Sequence, residues 1–253
     1  MTESTTSGPS VSGPATSRPA TLIGLAHGSR HARVADGIEA VLAAVTDRTG
    51  VPTRAAYLDL TAPDLETVAA DLAAAGERTA VVVPLLFTDA FHARVDVPDA
   101  VAGAAETSGV DLRLADILGT GDDVLEVVAE RLGEASVAPT EPVLLYAVGS
   151  SRADANAAVA GLATRLADRR GTEVRSGFGT SEPRAADVLA DLAAGDGPGT
   201  VVPLFVAPGL LLDGFAPAVA RAGWRLVDPL GTLLAPLVFH RYQAAVREAG
   251  HSR

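Results

Sequence analysis

Short apolar runs alternate with stretches of helical period along this chain, and the same order occurs twice. Residues 21–26 are apolar almost throughout, the pattern of a strand buried on both faces. Over residues 33–46 the apolar positions are Val34, Ile38, Val41, Leu42 and Val45, which repeat at the spacing of a helix. Residues 54–60 predict a second strand. Thr61-Ala62-Pro63-Asp64 then predicts a helix start with Thr61 as cap, the helix running to about Ala75 and stopping at Gly76. A strand at 80–86, a helix at 95–106, a strand at 112–115 and a closing helix at 122–132 complete the first half. Strands are expected again near 143–148, 173–178, 200–205 and 225–227, with helices between them and a last helix over 233–248. This alternation predicts an α/β fold of two tandem-duplicated domains, each a parallel sheet flanked by helices and connected right-handedly, with a cleft between the lobes. The expected divisions are a tail at 1–20, a first domain at 21–134 and a degenerate repeat at 143–250. The Pro-containing stretch 133–142 serves as linker.

The repeat is uneven in its polar residues. Leu22-Ile23-Gly24-Leu25-Ala26-His27-Gly28-Ser29-Arg30 returns as Leu144-Leu145-Tyr146-Ala147-Val148-Gly149-Ser150-Ser151-Arg152, with one residue fewer before the glycine. Val82-Val83-Pro84-Leu85-Leu86-Phe87, followed by Phe91-His92, returns as Val201-Val202-Pro203-Leu204-Phe205-Val206, followed by Leu210-Leu211. His27 is thus matched by Val148 and His92 by Leu211, at offsets of 121 and 119 residues. Asp59, at the end of the intervening strand, is matched by Gly179 when Ala62-Pro63 is aligned with Glu182-Pro183. Ligands of open α/β sheets bind off the carboxyl ends of the strands, where His27, Asp59 and His92 are expected. Two imidazoles and an acid at one edge suit either a metal site or proton removal. Gly28 permits a tight turn, and Ser29 is placed to cap the next helix.

Composition narrows the partners. A net charge of −11 argues against a nucleic-acid backbone or an anionic membrane surface. No apolar run approaches the ~20 residues that span a bilayer, so a cytoplasmic protein is expected. Cysteine is absent, which excludes disulfides and thiolate chemistry. No glycine motif for phosphate occurs. Arg30, Arg33 and Arg94 flank the two histidines in an otherwise acidic chain and are candidates, with Ser29, for holding the carboxylates of an anionic ligand. His31 is expected to face solvent. His240 and His251, near the C-terminus, are expected to lie away from this edge.

Ala26-His27-Gly28-Ser29-Arg30, Tyr57-Leu58-Asp59, and Val83-Pro84-Leu85-Leu86-Phe87 with His92 and Asp96-Val97-Pro98 together resemble the sirohydrochlorin chelatases of the CbiX/SirB type, which are class II tetrapyrrole chelatases. The resemblance extends over about residues 21–245 and includes the tandem duplication. It implies a bilobal α/β enzyme that inserts a divalent metal into the octacarboxylate macrocycle sirohydrochlorin, without a nucleotide and with no cofactor beyond the substrate metal. It also implies that His27 and His92 bind metal and abstract protons, with Asp59 beside them. The position of Asp59 is usually Glu in the family, so the acid here is one methylene shorter. Fe²⁺ on the way to siroheme is the first expectation, with Co²⁺ of cobalamin synthesis or Ni²⁺ as alternatives, because ligand type separates these ions poorly. A non-catalytic tetrapyrrole or metal carrier is the alternative of another class. A histidine phosphatase is disfavoured, since Ala26 stands where that chemistry wants an arginine. With both halves in one chain, a monomer is expected.

Overall fold

The computed structural model describes residues 19–89, 95–195 and 197–251. The first half contains β1 (Thr21–Ala26), α1 (Arg33–Thr49), β2 (Thr53–Tyr57), α2 (Leu65–Ala74), β3 (Thr79–Pro84), α3 (Val97–Ser108), β4 (Asp111–Leu114) and α4 (Asp122–Glu134). The second half repeats the order: β5 (Val143–Ala147), α5 (Ala153–Arg170), β6 (Val174–Phe178), α6 (Ala185–Ala193), β7 (Thr200–Pro203), α7 (Leu210–Arg221), β8 (Arg225–Leu226) and α8 (Ala235–His251), the last preceded by a 3₁₀ turn at Gly231–Leu234. The expected fold class is met. Two four-stranded sheets form in the orders β2-β1-β3-β4 and β6-β5-β7-β8, and every strand pair is parallel.

A parallel sheet must be covered on both faces, and its side chains alternate between them. On one face of the first sheet, Ile23, Leu25, Ala80 and Val82 pack with Leu65, Val68 and Leu72 of α2 and with Val97 and Val101 of α3. The second sheet does the same through Leu144, Tyr146 and Val201 against Val188, Leu189, Leu212, Phe215 and Trp224. The opposite faces share one apolar core that runs through both halves. It includes Leu22, Val81 and Val83 together with Val143, Leu145 and Val202. The molecule therefore has a common centre and two outer cores, rather than one core per repeat.

That centre is built by an exchange. Helix α4 packs against α5 and β7 of the second half, and α8 packs against α1 and β3 of the first. The spatial division thus differs from the linear one at 133–142, since each half's last helix covers the other half's sheet. Arginines fasten both crossings. Arg241 of α8 donates from Nε to the Ile117 carbonyl at 2.8 Å and from Nη2 to that of Leu118 at 2.6 Å, and it lies 2.7 Å from the Asp123 carboxylate. Arg131 of α4 donates to the Leu230 carbonyl at 2.9 Å. The Tyr242 hydroxyl donates to the Ala20 carbonyl at 2.8 Å, just before β1.

Two local expectations are corrected. Strand β2 ends at Tyr57 instead of 60; its hydrogen bonds to the β1 side run on through Asp59, and the chain turns away at Leu60, which adopts φ 60°. Helix α2 is capped by Asp64, whose carboxylate accepts the Thr67 N–H at 2.8 Å, and not by Thr61. The bonds from Thr67 hold the Asp64 carboxyl below its ordinary range.

Arg241→Ala strips two carbonyls and a carboxylate of their common partner, and the side chain is only 15% exposed. A loss of about 2 kcal/mol in urea unfolding is expected, against less than about 0.5 kcal/mol for the exposed Arg221→Ala.

Candidate functional site

In the first sheet β1 and β3 are neighbours, yet the chain leaves β1 through α1 on one face and enters β3 from α2 on the other. Such a switch point opens a crevice at the carboxyl ends of the two strands. His27 follows β1 at this point and is exposed. The ladder to β2 continues one step beyond the strands, with the Leu58 N–H on the Ala26 carbonyl at 2.9 Å and the Asp59 N–H on the His27 carbonyl at 3.0 Å. Asp59 is thereby held alongside His27. Its carboxylate accepts the Leu60 N–H at 2.7 Å, and its carbonyl accepts the Thr61 N–H at 2.7 Å.

The turn after His27 is fixed by close approach. Gly28 has φ 92°, and a Cβ there would lie 1.8 Å from the Asp59 carbonyl oxygen. The Thr61 hydroxyl accepts the Ser29 N–H at 3.0 Å and donates to the Ser29 carbonyl at 2.9 Å. Ser29 does not cap α1. Its Oγ accepts the His31 N–H at 3.1 Å, and α1 begins at Arg33 without a side-chain cap from the Ncap residue Ala32.

A cavity of about 380 Å³ opens here, lined by His27, Leu58, Asp59, Asp96, Asp99 and Ala100. Of the residues expected at the site, the structure brings His27 and Asp59 together. His92 and Arg94 lie outside the described residues. Arg30 is exposed, while Arg33 has its guanidinium 3.6 Å from Asp213 of α7. His31 does not face solvent. Its side chain is 11% exposed and its Nε2 lies 2.9 Å from Asp213. Among the described residues, no group of three His, Cys, Asp or Glu side chains is placed to hold a metal ion. Asp96 and Asp99 were missed as site residues. Their signal was Asp96-Val97-Pro98-Asp99, a proline-and-acid helix start in the loop after a switch-point strand.

In the second half Val148 occupies the place of His27 and is 45% exposed. The register corrects one pairing. Gly179 N–H bonds the Ala147 carbonyl and Thr180 N–H the Val148 carbonyl, as Leu58 and Asp59 do in the first half. The counterpart of Asp59 is therefore Thr180, and Gly179 matches Leu58. Leu60 is the extra residue, which is why alignment on the downstream prolines slipped by one.

The sequence model of the CbiX family matches residues 21–135 and 142–221 of this chain. The chain belongs to the CbiX family. Among its relatives, the sirohydrochlorin ferrochelatase of Bacillus subtilis is 29% identical over 194 residues, covering 74% of each chain. The sirohydrochlorin cobaltochelatase of Sulfurisphaera tokodaii is 31% identical over 78 residues, 31% of this chain and 62% of that one. A solved structure of SirB from Bacillus subtilis with Fe³⁺ superposes with a TM-score of 0.74 at 25% identity, over 90% of this chain and 94% of that one. That 90% is more than either repeat of this CbiX-family chain could supply alone.

Gly28→Ala tests the turn. Gly50, at φ 71° with nothing near its Cβ position, is the control. Gly50→Ala is expected to cost roughly 1 kcal/mol for its left-handed backbone alone, and Gly28→Ala at least about 2 kcal/mol more in urea unfolding.

Proposed function

We infer that this chain is a sirohydrochlorin chelatase that inserts a divalent metal into the macrocycle, with Fe²⁺ as the first metal and Co²⁺ or Ni²⁺ as the alternatives. The observation that carries this is the coincidence of the family match with an acid-lined cavity beside His27 at the switch point of the first sheet. The reaction exchanges one M²⁺ for the two protons of the pyrrole N–H groups. It needs a place where a cation loses water and a base that accepts protons near neutral pH. Asp59, Asp96 and Asp99 give the cavity the negative field that concentrates a divalent cation. His27 supplies the imidazole that receives a proton or holds the ion in passing, and His92 is proposed as its partner. Asp59, aimed by the Leu60 N–H, is proposed to orient the ion or take the proton onward.

Among the described residues the ligand set is open and incomplete, which favours delivery of the metal over its retention and supports an enzyme above a carrier. The same acids repel an octacarboxylate, so the carboxylates of the macrocycle belong outside the cavity. Arg30 and Ser29 beside His27, and Arg94, are proposed to meet them. Among the described residues no helix is long and apolar enough to cross a membrane. One copy carries both halves, and a monomer is proposed as the working form.

Anaerobic spectrophotometry of sirohydrochlorin with Fe²⁺, Co²⁺ or Ni²⁺ in turn tests this reading. Loss of the free-base bands is expected to be faster with the protein than without it. His27→Ala and His92→Ala are each expected to lower kcat about 100-fold or more. A wild-type rate equal to the protein-free control would leave the carrier as the better account. The order of rates among the metals ranks them.

A further inference from the structure

We propose that Asp213, a residue of the second half, is a positioning residue for His27. This rests on the reading above. The loop from His27 to α1 is tied within the first half by Gly28 against the Asp59 carbonyl and by the Thr61 hydroxyl on Ser29. Its far end is tied by His31. The His31 carbonyl accepts the Val34 N–H at 3.2 Å, and its Nδ1 accepts the Arg33 N–H at 3.2 Å. His31 thus serves the first-turn donors of a helix that lacks a side-chain cap at Ala32.

With Nδ1 accepting, the ring proton is on Nε2 and is donated to the Asp213 carboxylate at 2.9 Å. A carboxylate that receives one imidazole nitrogen fixes the ring's tautomer and orientation. The carboxylate also stands at the positive end of α1 and 3.6 Å from Arg33. An independent contact shows how near the two halves come here. A Cβ added at Gly37, one turn into α1, would lie 2.6 Å from the Cβ of Ala207 in the loop after β7.

The arrangement does not follow the repeat. Arg152 stands in the second half where His31 stands in the first, and it pairs with Asp154 of its own helix α5. The half that carries His27 receives its orienting carboxylate from the other half. This gives the repeat without site histidines a task in the chemistry: Asp213 holds His31, His31 holds the start of α1, and the loop between α1 and β1 sets where the His27 imidazole stands.

The test uses the full-length protein with Asp213→Ala and Asp213→Asn. Asparagine keeps an oxygen that accepts the Nε2 proton. Asp213→Ala is expected to lower kcat for metallation of sirohydrochlorin about tenfold, with KM for the macrocycle changed less than about twofold. Asp213→Asn is expected to restore kcat to within about threefold of wild type. Thermal midpoints of both variants should stay within a few degrees of wild type. A readout that needs no activity follows the imidazole nitrogens by NMR in ¹⁵N-histidine-labelled protein. The His31 signals should report a proton on Nε2 in wild type, and Asp213→Ala should shift or broaden the His27 signals.

Unchanged kcat in Asp213→Ala overturns the proposal. So does an equal loss in Asp213→Asn, an unmoved His27 resonance, or a large drop in midpoint without a kinetic effect. If the wild-type protein does not metallate sirohydrochlorin at all, the functional reading fails, and the imidazole signals still decide whether Asp213 sets the His27 loop.

Discussion

A parallel sheet tolerates water on neither face, and most of this molecule follows from that constraint. On its central face each sheet needs more helical cover than its own crossover there supplies. In each half, three helices are crossovers bound to the sheet by the strands they join, and only the last one is free to go elsewhere. Helices α4 and α8 use that freedom to cover the opposite half's sheet, beside the crossover helices α5 and α1. The result is one central core shared by both repeats. The arginine bonds at Ile117, Leu118 and Leu230 satisfy carbonyls at the two places where the backbone crosses over.

The same topology makes the site. With β1 and β3 adjacent and their connections on opposite faces, the crevice at their ends exists before any functional side chain is added. The chain then fits this crevice with one imidazole from the turn after β1, one acid from the turn after β2 and two acids from the start of α3. The turn after β1 has little freedom, since Gly28 touches backbone and Ser29 is bonded at both its N–H and its carbonyl. Rigidity there and openness in the cavity suit the proposed delivery of a metal ion.

How much of this was legible depended on the range of the interaction. Strands such as Thr21–Ala26 announce themselves because burial on both faces leaves a continuous apolar run. His27 and Asp59 were legible because strand ends are. The helix exchange was not: the periodicity of α4 shows which of its faces is apolar, and says nothing of whose sheet that face will meet. His31 was misread as a solvent residue because its partner lies 182 positions away in the sequence. The Gly179 pairing failed for a local reason. Proline is a strong landmark, but a single inserted residue, Leu60, lies between it and the strand, and only the ladder of N–H and carbonyl pairs reveals the slip. Asp96 and Asp99 read as ordinary acids of a helix start until the cavity wall they form was visible.

The traded helices also change the order of the assembly reaction. Two unlinked copies of such a repeat would have to meet in order to swap their last helices, and completing either sheet would be second order in protein. Residues 135–142, joining α4 to β5, turn that encounter into a loop closure within one chain. Dilution then no longer weakens the structure. The edge that carries His27 and the edge that carries Asp213 meet in every molecule, however scarce the protein is.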